Sequence, residues 1–288
     1  GTWILVAEVP PDPTIPEEPE EPEPPVIPPS GTPRIFSSWE NGTVGDGFWG
    51  LQAKQASRAS LITSQKRHGN SAIRLSTQSG DTNVNGSGTW ERCDLTLGES
   101  NSRMYHGAPD EWIAHSIYLP PEFVIPTGGQ GFLLWDIHDN YSAHAGEVPA
   151  PSQALSHIEV VGGNSANGQD GMMRIRTYGG PTASWESSRD QVELGVAEKG
   201  VWYDFVHFFK WSHNSDGIQK TWLRKGSGTI GELVYDKAAA TIYQGLEAYL
   251  KLACYHSAFG VATAVIHDRV VFGPDWQTVS MFPLEGVT

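Results

Sequence analysis

Lys251-Leu-Ala-Cys-Tyr255 is the stretch on which the reading of the fold turns. In an extended chain successive side chains point to opposite faces, so Lys251, Ala253 and Tyr255 share one face and Leu252 and Cys254 the other. The polar set can then line a groove while the apolar set enters a core. At the usual rise per residue, Lys251 and Tyr255 stand about 13 Å apart along the strand. Glu91-Arg-Cys-Asp-Leu95 repeats the logic, with Arg92 and Asp94 on one face and Cys93 and Leu95 on the other.

Outward from this strand the same period of two recurs. Ser71–Ser76, Trp112–Tyr118, Met172–Tyr178, Tyr203–Trp211 and Ala264–Phe272 are short runs rich in β-branched and aromatic residues, separated by Gly and Pro. Only 51–57 and 236–241 suit short helices, and no internal repeat points to a propeller or solenoid. The pattern predicts an all-β fold: a two-sheet antiparallel jelly-roll sandwich, concanavalin-like, with a groove on the concave sheet.

The sandwich does not account for the whole chain. Residues 10–33 are mostly Pro and Glu, with too little apolar surface to offset the entropy of ordering, and read as a semi-rigid acidic linker. Residues 1–9 carry the strand-like run Trp3–Ala7 and read as a stub or tether, through which the chain would join a larger assembly; 34–288 form the sandwich domain. The formal net charge of −14 argues against nucleic acid, but much of it sits in the linker, at Glu17, Glu18, Glu20, Glu21 and Glu23. No apolar run is long enough to insert in a membrane. The two cysteines, Cys93 and Cys254, form no disulfide framework, and one bridge or two buried thiols both remain open.

The order of several segments resembles the heparin lyase I-like polysaccharide lyases, which include glucuronan lyases. Trp90-Glu-Arg-Cys-Asp-Leu95 is similar to that family's Arg-Ser-Glu-Leu strand and is followed by Trp112–Pro120. Leu134-Trp-Asp-Ile-His138 resembles its Gln-x-His strand. Trp202–Ser212, with Asp216-Gly217 and Trp222, resembles its Lys-Trp-Ser block, and Tyr249-Leu-Lys-Leu-Ala-Cys-Tyr255 its Tyr-x-Lys-x-Gly-x-Tyr strand, before a closing strand at Val265–Arg269. The likeness spans about residues 70 to 275. Three departures stand out: Trp135 or Asp136, depending on register, replaces the Gln; Asp94 replaces a Glu; Ala253 replaces a Gly.

The resemblance implies an extracellular lyase, secreted, surface-displayed or virion-associated, that depolymerises an acidic polysaccharide by β-elimination at a uronic acid. That chemistry needs charge stabilisation at the carboxylate, a base, and an acid for the leaving oxygen. Arg92 and Lys251 suit the carboxylate, while His138 and Tyr255 suit base and acid, the latter if a nearby cation lowers its pKa. Trp135, Tyr141, His115, His157, Tyr178 and Asp94 are the expected substrate contacts, and His144 would lie in a groove wall. His207, His213, His256 and His267 read as structural or exposed. The reaction calls for no cofactor; Asp136, Asp139 and Asn140 form a loose oxygen-rich set that would suit a structural calcium. Two rivals use the same fold. A hydrolase needs paired carboxylates, for which only Asp94 and Glu159 offer themselves, and a lectin would not need Lys251, Tyr255 and His138 together.

Overall fold

The structure is a computed structural model that describes residues 31, 33–85, 87–97, 110–139, 154–163, 168–180, 190–243, 248–280 and 282–287. Nearly all of the expected linker and stub, together with Tyr141, His144, Asn140 and the side chain of Asp139, lie outside the described residues.

Two antiparallel sheets make up the fold. The first runs, edge to edge, β13 (Glu232–Ala238), β12 (Ile218–Lys225), β11 (Val201–Lys210), β6 (Asp110–Leu119), β15 (Thr263–Gly273), β4 (Ala72–Thr77) and β3 (Ala59–Ile62), with β1 (Ile35–Ser37) also pairing with β15. The second runs β10 (Asp190–Val196), β9 (Met172–Thr177), β8 (Ala154–Val161), β7 (Gly131–Asp139), β14 (Ala248–His256), β5 (Glu91–Leu97) and β2 (Trp49–Ala53). This is the jelly-roll sandwich the alternation predicts, and each of the five quoted runs is a strand.

The two helical expectations fail. Residues 49–53 are edge strand β2, followed by a single 3-10 turn at Ala56–Arg58, and 232–238 are edge strand β13. Segments this short cannot meet the cost of helix nucleation, whereas pairing with β5 and β12 satisfies their backbones at once. Among the described residues the one α-helix is α1 (Trp276–Val279), capped by the Asp275 carboxylate, which accepts from the Thr278 amide at 2.8 Å.

Alternation places the core between the sheets. Cys93, Leu95 and Leu97 of β5, Leu250, Leu252 and Cys254 of β14, Ile158 and Val160 of β8, and Met173 and Ile175 of β9 meet Ile113, Ile117, Phe205, Phe209 and Val265 of the facing sheet. Cys93 and Cys254 are register partners, both buried and both free thiols. Register on β5 and β14 is therefore strongly specified: a one-residue slip would drive Arg92, Asp94, Lys251 and Tyr255 into the core.

The core also contains an aromatic stack. Trp135 is fully buried and lies parallel to His115 (centroids 4.9 Å apart) and His207 (4.6 Å). The two imidazoles meet through their Nε2 atoms at 3.0 Å, so one donates and the other accepts. His207 Nδ1 lies 2.9 Å from Thr221 Oγ1. Burial holds His207 near a pKa of about 3 and His115 well below its usual value, so both are neutral. Trp135 and His115 are therefore packing residues between the sheets and not substrate contacts. A bulge in β7 causes this: register shifts between Leu133 and Trp135 turn the indole inward and leave Asp136 facing out.

Candidate active site

The outward face of the seven-stranded sheet carries the polar set. Register aligns it in rows that cross the strands. One row reads Thr96, Lys251, Asp136, His157, Arg176 and Gln191; another reads Arg92, Tyr255, Leu133, Glu159, Arg174 and Glu193. Of the two residues that the resemblance set against the family's Gln, Asp136 lies in this row and Trp135 in the core. Most of these side chains are buried, including Arg92, Asp94, Asp136, His157, Glu159, Arg174 and Lys251. Tyr255, His138 and Arg176 are only half-buried, as are Leu133 and Glu193, while Gln191 is exposed.

Arg92 is held from several sides. Its guanidinium lies 4.0 Å from the Tyr255 ring centroid, Nη1 donates to the Asn85 carbonyl at 3.2 Å, and Nε is 3.2 Å from Asp94 Oδ2. Trp90 packs against the same phenol, centroids 5.1 Å apart. Asp94 has no exposed surface and accepts the Cys254 amide at 3.2 Å. It is fully buried beside Arg92 and orients the guanidinium. Burial lifts its pKa to about 6 against the pull of Arg92 and Lys251.

Tyr255 departs from expectation in sign. Burial raises its phenol above the ordinary value, and Arg92, which favours the phenolate, offsets only part of that. Lys251 is likewise engaged: Nζ stands 3.5 Å from Asp136 Oδ2 and 5.2 Å from the Tyr249 ring.

His138 is not brought beside Tyr255. Its register partner is Tyr249, whose ring lies 5.3 Å away, while Tyr255 pairs with Leu133 of the same strand. Six residues of β14 separate the two sites, about 20 Å of extended chain. The four expected catalytic residues thus fall into an Arg92–Tyr255 end, a Lys251–Asp136 centre and a His138–Tyr249 end.

Farther across the sheet is a cluster the strand pattern held but the motif reading passed over. Glu159 Oε1 accepts from Arg174 Nε at 2.6 Å and lies 3.1 Å from Arg176 Nη1 and 3.3 Å from His157 Nε2. These contacts hold its carboxyl below the usual range despite the opposing effect of burial. Tyr178 packs on His157 at 5.8 Å and is 2 % exposed, with its phenol pushed up to about 12 by burial and by Glu159. It backs His157 and offers no open ring face to a sugar. The signal was legible: alternation in Met172–Tyr178 puts Arg174 and Arg176 on one face, and alternation in β8 does the same for His157 and Glu159.

Of the calcium candidates, Asp136 is committed to Lys251, and Asp139 and Asn140 offer no described side chain. Among the described residues no group of three metal-ligating side chains converges.

The fold is a jelly-roll sandwich with a row of tyrosine, arginine, histidine and carboxylate side chains on the face turned away from its core. Residues 40–272 match the family described as polysaccharide lyase, and the chain belongs to that family and is a polysaccharide lyase. The sandwich is similar to an endo-β-1,4-glucuronan lyase from the fungus Trichoderma reesei, at 14% identity and a TM-score of 0.63, covering 86% of this chain and 98% of that one. It is also similar to a marine alginate lyase from Aplysia kurodai (12% identity, TM-score 0.55, 85% and 100% covered). The catalytic domain of a glycoside hydrolase family 131 protein from Coprinopsis cinerea shares the fold as well (11%, 0.57, 90% and 100%). Comparison with curated proteins returns no match.

Proposed function

We propose that this lyase cleaves a uronate-containing polysaccharide by β-elimination, with Tyr255 and Arg92 at the reacting sugar. The observation that carries the reading is the Arg92 guanidinium stacked 4.0 Å from the Tyr255 ring centroid, on a face otherwise made of buried, paired charges. Arg92 meets the substrate carboxylate and spreads the charge that develops as C5 loses its proton. With His138 about 20 Å away along the strand, one phenol serves both steps. The Tyr255 phenolate takes the C5 proton, the C4–O4 bond breaks as a C4–C5 double bond forms, and the phenol returns the proton to O4. That is a syn course. It regenerates the phenolate, which Arg92 favours. Asp94 fixes Arg92, and Lys251 with Asp136 supports the neighbouring sugar.

A hydrolytic reading has less support. Asp94 and Glu159 lie three strands apart, about 14 Å at normal strand spacing, and Glu159 is clamped by two arginines. Glycosidase carboxyls stand roughly 5–9.5 Å apart. The glucuronan and alginate lyases named above make uronate polymers the first substrates to try. Polymers of this size favour action outside the cell, and the Pro- and Glu-rich residues 10–33 would suit a spacer for display as a depolymerase.

The test is product chemistry. Incubation with polyglucuronate, alginate and acidic capsular polymers should yield an ultraviolet-absorbing unsaturated uronate together with new reducing ends. Reducing ends without the chromophore would establish hydrolysis instead, and binding with neither would favour a lectin.

A further inference from the structure

The Glu159–Arg174–Arg176–His157 cluster lies on β8 and β9, two and three strands from β14, about 10 and 14 Å at normal strand spacing, so Arg174 and Arg176 stand too far off to act on the sugar that Tyr255 touches. Its chemistry is nevertheless that of an anion site. Arg174 and Arg176 converge on one carboxylate, Glu159, and Arg176 faces a neutral partner, Gln191, on its other side. Arg174 instead faces Glu193. Arg176 is the half-buried member: its side chain is 14 % exposed, and its Nε is buried without a hydrogen-bond partner. Nδ1 of the neighbouring His157 is buried and unpartnered too.

Unsatisfied buried donors of this kind are costly, and each is a place where a ligand or water completes the structure. Here they belong to a series. Asp136 Oδ1 on β7, Nδ1 of His157 on β8 and Arg176 Nε on β9 are all buried and without hydrogen-bond partners, and the Arg92–Asp94 pair on β5 continues the line on the same face. The series crosses five adjacent strands, a span of about 19 Å that suits a polymer laid across them.

We propose that Arg176, assisted by His157, is a second carboxylate-binding site, which reads an acid group on a sugar several units from the cleaved bond. The inference rests on the lyase reading for the direction of the polymer, but the anion site stands on its own geometry. A planar guanidinium whose Nη1 is held by Glu159 and whose Nε has no partner suits a carboxylate docking along its Nε edge. Glu159 holds the other side of the fork and sets its plane. The preferred substrate is then a polymer with acid groups on successive sugars, and not one in which a single uronate interrupts neutral sugars.

Two measurements on the full chain test this. In lysis assays on uronate oligomers of graded length, Arg176→Gln should raise KM about 10- to 100-fold on long oligomers, leave kcat unchanged, and leave the shortest cleaved oligomer unaffected. Arg176→Lys should recover part of the loss. An equal loss at every length, a loss in kcat alone, or no loss would overturn the proposal. In calorimetric titration with polyuronate and with the same polymer after reduction of its carboxyls to alcohols, Arg176→Gln should weaken only the former. Equal effects on both polymers, or none, would overturn it. This second arm reads the anchor even where no chromophore forms, so failure of the lyase reading and failure of the anchor are distinguishable. Matching melting temperatures establish that the variants are folded.

Discussion

At the scale of single residues, the chemistry depends on how Tyr255 is held. A phenol raised by burial and only partly countered by Arg92 is protonated at neutral pH. If its phenolate is the base, kcat/KM should rise with pH across the neutral and mildly alkaline range, because the active form is the deprotonated one. A profile with an acid limb near the usual histidine value, lost in His138→Ala, would transfer the base role to His138. His138→Ala itself should keep kcat within about tenfold, its effect falling mainly on KM, as expected for a peripheral contact. Lys251 and Tyr255 were legible in the sequence because strand alternation is a local property. The place of His138 was not, since it depends on which residue of β14 it pairs with, and the register of the β7–β14 pair, with its shift between Leu252 and Tyr255, decides how far that lies from Tyr255.

At the scale of elements, β7 divides its work between core and surface. Trp135 on one side fills the space between the sheets, and Asp136 on the other balances Lys251. Trp135→Ala should cost about 3–5 kcal/mol, measured by urea unfolding, since it opens a cavity against the His115–His207 pair in the fully buried core. Asp136→Ala should also cost several kcal/mol, about 3–5, by leaving Lys251 as a buried charge without its partner. A loss below about 1 kcal/mol would show that Lys251 finds water instead. The strands themselves were readable because period two survives in every core element. The edge strands β2 and β13 were misread, since an edge carries a weak alternation and its identity comes from the neighbour it pairs with. Trp135 was misread for a related reason: an aromatic beside a motif reads as a sugar platform until tertiary packing shows which way the bulge turns it.

At the scale of the whole molecule, the sandwich is acid-sensitive by construction. His207 and His267 sit at a pKa of about 3, His68 and His256 at about 4, and His115 well below its usual value, all chiefly through burial. Between those values and the unfolded value of about 6.5, the unfolded chain binds more protons than the native one, so stability falls as pH falls through that window. Asp94 and Asp268, raised by burial to about 6, pull the other way below that pH, and Glu111, also raised by burial, acts in the same sense, but these are fewer groups. The urea midpoint should therefore drop steeply from pH about 6.5 downward; a flat profile to pH 4 would mean that the core histidines are hydrated. Under the proposed function, one tyrosine and one arginine of this sandwich meet a uronate. This is tested most directly by following the unsaturated product from a uronate polymer with the wild type, Tyr255→Phe and His138→Ala side by side. Tyr255→Phe, folded and still binding polymer, should form no unsaturated product, while His138→Ala should continue to lyse. Lysis by Tyr255→Phe, or its loss in His138→Ala alone, would contradict it.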